Sequence, residues 1–194
     1  MLPDEHRGRP RKTASAAGDL PDDRTEINST GAVTGTSDID WDLLPCTAFH
    51  EAGHAWGYYH TYRPLRFVTI EAEGLLRGRT VGLDSWEPLI AAAGPIAETR
   101  WYFTHYNPGL ARVFTFQQYL QESLIKYGAP QGYKKAAHIL DDPKAVRRLR
   151  TAMARDWKLI EALANKLIEV GTVTGPEIAH VFLEAKYGPK LVRR

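Results

Sequence analysis

A mainly α-helical domain with a small β-hairpin, α+β in the wider sense, is the fold class this sequence predicts. Three observations carry it. Apolar residues recur at helical spacing beyond residue 43, as at Leu159, Ile160, Leu163, Leu167 and Ile168. One region alternates instead: Leu65-Arg66-Phe67-Val68-Thr69-Ile70-Glu71-Ala72, then, past Gly74, Arg79-Thr80-Val81-Gly82-Leu83. Helix punctuation is frequent, with Asp142-Pro143 as a start, Gly171 as a stop and Thr174-Gly175-Pro176-Glu177 as a capping box.

Residues 1–40 read as a disordered tail. They are rich in Gly, Pro, Ser, Thr, Asp and Arg, and large apolar residues are scarce before Ile39 and Trp41. Within the tail, Arg7-Gly8-Arg9-Pro10-Arg11-Lys12 resembles an AT-hook, a slim basic arm suited to the narrow, strongly negative minor groove of A·T-rich DNA. A solvated basic patch is the plainer reading. The folded domain is expected over residues 41–188, with a basic tail at 189–194.

A helix is expected from about 43 to 60, then the two strands as a hairpin. Ser85 is the expected N-cap of a helix from Trp86 to Tyr106. Ala91-Ala92-Ala93-Gly94 forms its small-residue face, and Pro95 is expected to kink or divide it. Asn107-Pro108-Gly109 and Gly128-Ala129-Pro130 read as turns flanking a helix at 110–126. A further helix spans 131–140, a long one 143–170, and a last one 175–186.

The chain has 194 residues, 43% of them hydrophobic, enough for one core-bearing domain plus a tail. A net charge of +2 gives no chain-wide drive toward nucleic acid or anionic membrane. Cys46 is the sole cysteine, so no internal disulfide forms, which fits a reducing compartment. No apolar run reaches membrane-span length and no apolar signal core begins the chain, so a cytoplasmic location is expected.

The chemistry is concentrated in Thr47-Ala48-Phe49-His50-Glu51-Ala52-Gly53-His54-Ala55-Trp56-Gly57. This is H-E-x-x-H. On a helix, residues four apart share a face, so His50 and His54 can offer two imidazoles to one metal ion. Glu51, one position on, is placed to take a proton from a water on that ion. Leu43, Leu44, Ala48, Phe49, Ala52, Ala55, Trp56 and Tyr59 make this a largely apolar helix. Buried polar groups need partners, and a zinc ion supplies them.

Taken together, several segments resemble the peptidase domain of FtsH-type zinc metallopeptidases over residues 43–186. They are Phe49–Ala55, Phe67-Val68-Thr69-Ile70 with Gly78-Arg79-Thr80, Ala93-Gly94-Pro95-Ile96-Ala97-Glu98, and Ala162–Glu169 with Thr174-Gly175-Pro176-Glu177-Ile178. The resemblance implies a helical peptidase domain with zinc held by His50 and His54, Glu51 as general base, and peptide or protein as substrate. Members of that family also carry membrane spans and an ATPase module. This sequence has no G-x-x-x-x-G-K-[ST] loop, so an ATP-independent, stand-alone peptidase is implied.

The family's third ligand is an aspartate, and Gly132 stands at the matching position, beside Gln131. Asp141 and Glu98 are candidate replacements; Glu98 is alternatively a group that orients a ligand histidine. His60 completes a His-x-x-Gly57-x-x-His pattern like that of metzincins, but no methionine turn follows, and in a continuous helix His60 faces elsewhere. Cys46 reads as a small buried side chain, and His105, His138 and His180 as single surface or core histidines. A degenerate, non-catalytic binding domain, tethered to DNA through the tail, is the alternative expectation.

Overall fold

A computed structural model describes residues 44–71, 78–83, 87–106, 108, 115–126 and 131–189. The tail with Arg7–Lys12, the Gly128–Pro130 turn and residues 190–194 lie outside the described residues, whereas the helix expected from Trp86 begins at Pro88, with Glu87 and not Ser85 at its N-cap. Seven α-helices and a three-stranded sheet account for most of the described chain, a mainly α fold as expected, with one helix and one strand more than the sequence patterns predict.

Helix α1, Leu44–His60, is apolar on nearly every side and is the axis of the fold. It packs against α2 (Pro88–Trp101), α6 (Trp157–Val170) and the strands β1 (Leu65–Thr69) and β2 (Arg79–Gly82). The α1–α2 contact is backbone to backbone. A Cβ on Gly53 would lie 2.6 Å from both the Ala93 carbonyl oxygen and the Ala97 methyl, and one on Gly57 would lie 2.9 Å from the Ile90 Cα. The two glycines stand one turn apart on α1, opposite the small-residue face of α2. Phe49 then locks three elements together. Its ring stacks on Trp101, from the end of α2, and on Trp157, from the start of α6, each at 5.6 Å between centroids.

Helix α2 is not divided at Pro95. It runs unbroken to Trp101 and continues as a π-helical turn, Tyr102–Tyr106. The proline costs one hydrogen bond, since it brings no N–H to Ala91. The buried residues on either side of it, from Ile90 to Thr99, hold the helix through that gap. Helices α3 (Phe116–Lys126) and α4 (Gln131–Leu140) flank α2.

The expected helix 143–170 is two helices, α5 (Pro143–Arg155) and α6. Asp156 breaks it, with φ −105° and ψ 13°. Its carboxylate accepts a hydrogen bond from the indole N–H of the fully buried Trp56 (3.1 Å), a partner on α1 that no local pattern reveals. Asp142 caps α5 as expected, its carboxylate accepting from the Lys144 amide at 2.8 Å.

Strands β1 and β2 pair antiparallel, with Phe67 opposite Val81, Val68 opposite Thr80 and Thr69 opposite Arg79. A third strand, β3 (Thr172–Thr174), joins the other side of β1, giving the order β2-β1-β3. Three residues are too few to show an alternating pattern. β3 is positioned by Gly171, whose φ of 75° turns the chain out of α6. Helix α7 (Gly175–Tyr187) follows directly, and the Glu177 carboxylate accepts from both the Thr174 amide (2.8 Å) and its hydroxyl (2.6 Å).

Two outcomes test this packing. Gly53→Ala should destabilise the fold by about 1–3 kcal/mol, the usual cost of overpacking, measurable by denaturant unfolding. Glu177→Ala should lower Tm at neutral pH. The hydrogen bonds from Thr174, its hydroxyl first and its amide second, depress the Glu177 pKa. That stabilisation is present above the unfolded carboxylate pKa and is lost as pH falls through the folded one, so the melting curves of variant and wild type should converge in acid.

Candidate metal centre

Helix α1 presents His50, Glu51 and His54, and α2 and β2 supply their partners. The Nδ1–H of His54 donates to the Ile90 carbonyl at 2.6 Å. A carbonyl only accepts, so this bond fixes the tautomer and leaves Nε2 with its lone pair. The Nδ1–H of His50 donates to the Glu98 carboxylate at 2.8 Å, with the same consequence. The two Nε2 atoms then meet at 3.0 Å.

Two bare lone pairs at that distance repel unless a proton or a cation lies between them. Burial and the neighbouring His50 charge push His54 down to about 3, against the pull of the Ile90 carbonyl, so His54 is neutral. Burial also disfavours charge on His50, but the Glu98 hydrogen bond and the charges of Glu98 and Glu51 outweigh it and raise its pKa. Of the two imidazoles, His50 is the one whose charged form is the better stabilised.

A tetrahedral zinc with nitrogen ligands at 2.0–2.1 Å needs its nitrogens roughly 3.3 Å apart. The imidazoles lie within a few tenths of an ångström of that spacing. Each also has its far nitrogen anchored, by a carbonyl in one case and a carboxylate in the other, which is the arrangement that orients histidine ligands. The donor chemistry of the pair fits two ligands of a zinc site. His54 is 4% exposed, whereas the His50 side chain is 26% exposed, so the pair is open to solvent on the His50 side. Gly94 makes the close fit possible: a Cβ there would lie 2.4 Å from the His54 Nε2.

Glu51 is buried beside the pair. Its Oε2 accepts from the Thr80 hydroxyl at 2.6 Å. Its Oε1 lies toward Gly78, where a Cβ would come within 3.0 Å of it. Burial raises the Glu51 pKa, with the Glu98 charge adding to it and the His50 charge and the Thr80 hydrogen bond opposing. A carboxylate with a raised pKa is a stronger proton acceptor than a solvated one.

The other candidates are placed elsewhere. His60 remains on α1, exposed, its ring stacked on Trp56 at 4.6 Å. Gly132 lies in the first turn of α4. Asp141 lies beyond the other end of that helix, about 13 Å along it, where its carboxylate accepts from the Gln121 amide at 3.3 Å. Cys46 is buried in the first turn of α1. His105 stacks against Trp101, His138 is exposed, and His180 pairs with Glu184 at 3.6 Å. Among the described residues, no third His, Cys, Asp or Glu completes a metal-binding group. Glu98 contacts His50 through Nδ1, as an orienting partner.

Thr80 and the Ile90 carbonyl are the site groups that residue patterns do not reveal. Thr80 reads only as a strand residue, and a backbone carbonyl carries no side-chain signal. No family model and no curated protein matches the chain. The likeness to the FtsH-type peptidase domain therefore rests on the residues quoted above.

Glu98→Gln should weaken zinc affinity about 10- to 100-fold, because the carboxylate both orients the His50 ring and increases its basicity. Chelator competition measures this.

Proposed function

We propose that the chain is a zinc-dependent, ATP-independent metallopeptidase that hydrolyses peptide bonds in flexible or unfolded polypeptide. The observation that carries this reading is the pair of imidazoles whose Nδ1 hydrogens are both anchored and whose Nε2 atoms converge, with the Glu51 carboxylate beside them. When bound by His50 and His54, zinc supplies Lewis acidity and lowers the pKa of water to near neutrality.

The residues divide the remaining work. Thr80 engages Glu51 Oε2, which leaves Oε1, on the Gly78 side, to take the proton of the attacking water. Glu51 then passes that proton to the departing amine, and its raised pKa suits both steps. Strand β2 is an edge of the sheet and carries Thr80. An extended peptide that pairs with this edge runs past Glu51, which fits an unfolded substrate. No helix among the described residues is long and apolar enough to cross a membrane. We place the activity in the cytoplasm, where the single cysteine stays reduced.

A second reading is a non-catalytic binding domain, held to A·T-rich DNA by the Arg7–Lys12 segment. The lack of a third ligand among the described residues, with Gly132 at the family's aspartate position, favours it.

Zinc content and hydrolysis of an unfolded casein separate the two. The peptidase reading expects one zinc per chain in the wild type, none in His54→Ala, and at least a hundredfold loss of hydrolysis in Glu51→Gln with zinc retained. Full activity in Glu51→Gln would overturn it. A folded wild type without zinc would establish the second reading.

A further inference from the structure

Residues of α2, α3, α5 and the π-helical turn enclose an open cleft of about 810 Å³, a size typical of ligand sites. Arg100, Arg147 and Arg150 line it with Phe103, Phe116 and Thr151, and among the described residues no acid does. Among the described residues, none of the three guanidiniums forms an ion pair. Glu161 acts on Arg100 at longer range. The Arg150 guanidinium carbon lies over the Phe116 ring, 3.6 Å from its centroid. Its pKa is lowered by partial burial and by the like charge of Arg100. Phe103 and Phe116 lie 6.0 Å apart and add an aromatic wall.

The charge extends beyond the cleft. Over Pro143–Arg155, α5 carries Lys144, Arg147, Arg148, Arg150 and Arg155 and no acid, in a chain whose net charge is only +2. All five cations are exposed. A single small anion uses three of them at most. A chain of phosphates uses the row, and bases alongside it find aromatic faces in the cleft.

We propose that the Arg100–Arg147–Arg150 cleft and the exposed side of α5 form a binding site for single-stranded nucleic acid. Phosphates lie on the guanidiniums and a base stacks at Phe103 and Phe116. This site is independent of the imidazole pair and of the basic N-terminal segment.

The test is fluorescence anisotropy of 5′-labelled dT12 with the full chain. A thymidine single strand offers no A·T minor groove, so Arg9→Ala should bind it as the wild type does. The expected slope of log K against log salt is about −4, as contacts from Arg100, Lys144, Arg147, Arg148, Arg150 and Arg155 to a single strand require. Arg147→Ala combined with Arg150→Ala should weaken binding at least tenfold. Phe116→Ala should weaken it about tenfold through lost stacking. Arg147→Glu, a surface change, should also abolish binding, with circular dichroism confirming the fold of each variant. No binding by the wild type, or undiminished binding by the arginine variants, would overturn the proposal. So would displacement of dT12 by equimolar ATP, which would make a free nucleotide the ligand.

Discussion

The structure depends on the close approach of α1 and α2. Gly53 and Gly57 on one helix and the alanine face of the other let the two backbones touch. This is more than packing, because the two orienting partners described for the imidazoles both sit on α2. The Ile90 carbonyl holds His54 and the Glu98 carboxylate holds His50. Those groups lie eight residues apart on α2, and the histidines four apart on α1. A shift of α2 by one ångström would break both hydrogen bonds. Side chains larger than alanine along this seam would impose such a shift, since interiors are packed to near-crystalline density.

That geometry has an electrostatic consequence. Anchoring both Nδ1 hydrogens forces both lone pairs toward one point. Such an arrangement is unfavourable for two neutral imidazoles and favourable for a proton or a cation between them. The site thus favours a positive charge between the two rings. Glu51 is not engaged in that pairing. Its burial and its bond to Thr80 hold it ready to exchange a proton.

Charge is segregated over the fold. Glu51 and Glu98 face the imidazoles, while the cations of α5 and Arg100 gather on another part of the surface. A near-neutral net charge conceals this, because +2 is a balance of separated groups and not a description of any one face.

The sequence by itself determined much of this protein. The helical period, the capping residues at Asp142, Thr174 and Glu177, and Gly171 are local signals, and the elements they mark begin and end where those signals stand. The four-residue spacing of His50 and His54 needs only a helix to put them on one face, so that pair was legible before any fold was known. Glu98 was legible as an orienting acid only through its likeness to a known segment. The tertiary structure alone decided the rest, because the partners come from distant parts of the chain. Asp156 breaks a continuous helical pattern because it meets Trp56, a hundred residues earlier. Thr80 becomes part of the site because β2 is laid beside α1. β3 exists because a neighbouring strand offers its edge. The cleft at Arg100 and Arg150 unites three helices and a π-helical turn that share no sequence signal. Periodicity reports which side of an element is apolar, and only packing reports what that side meets.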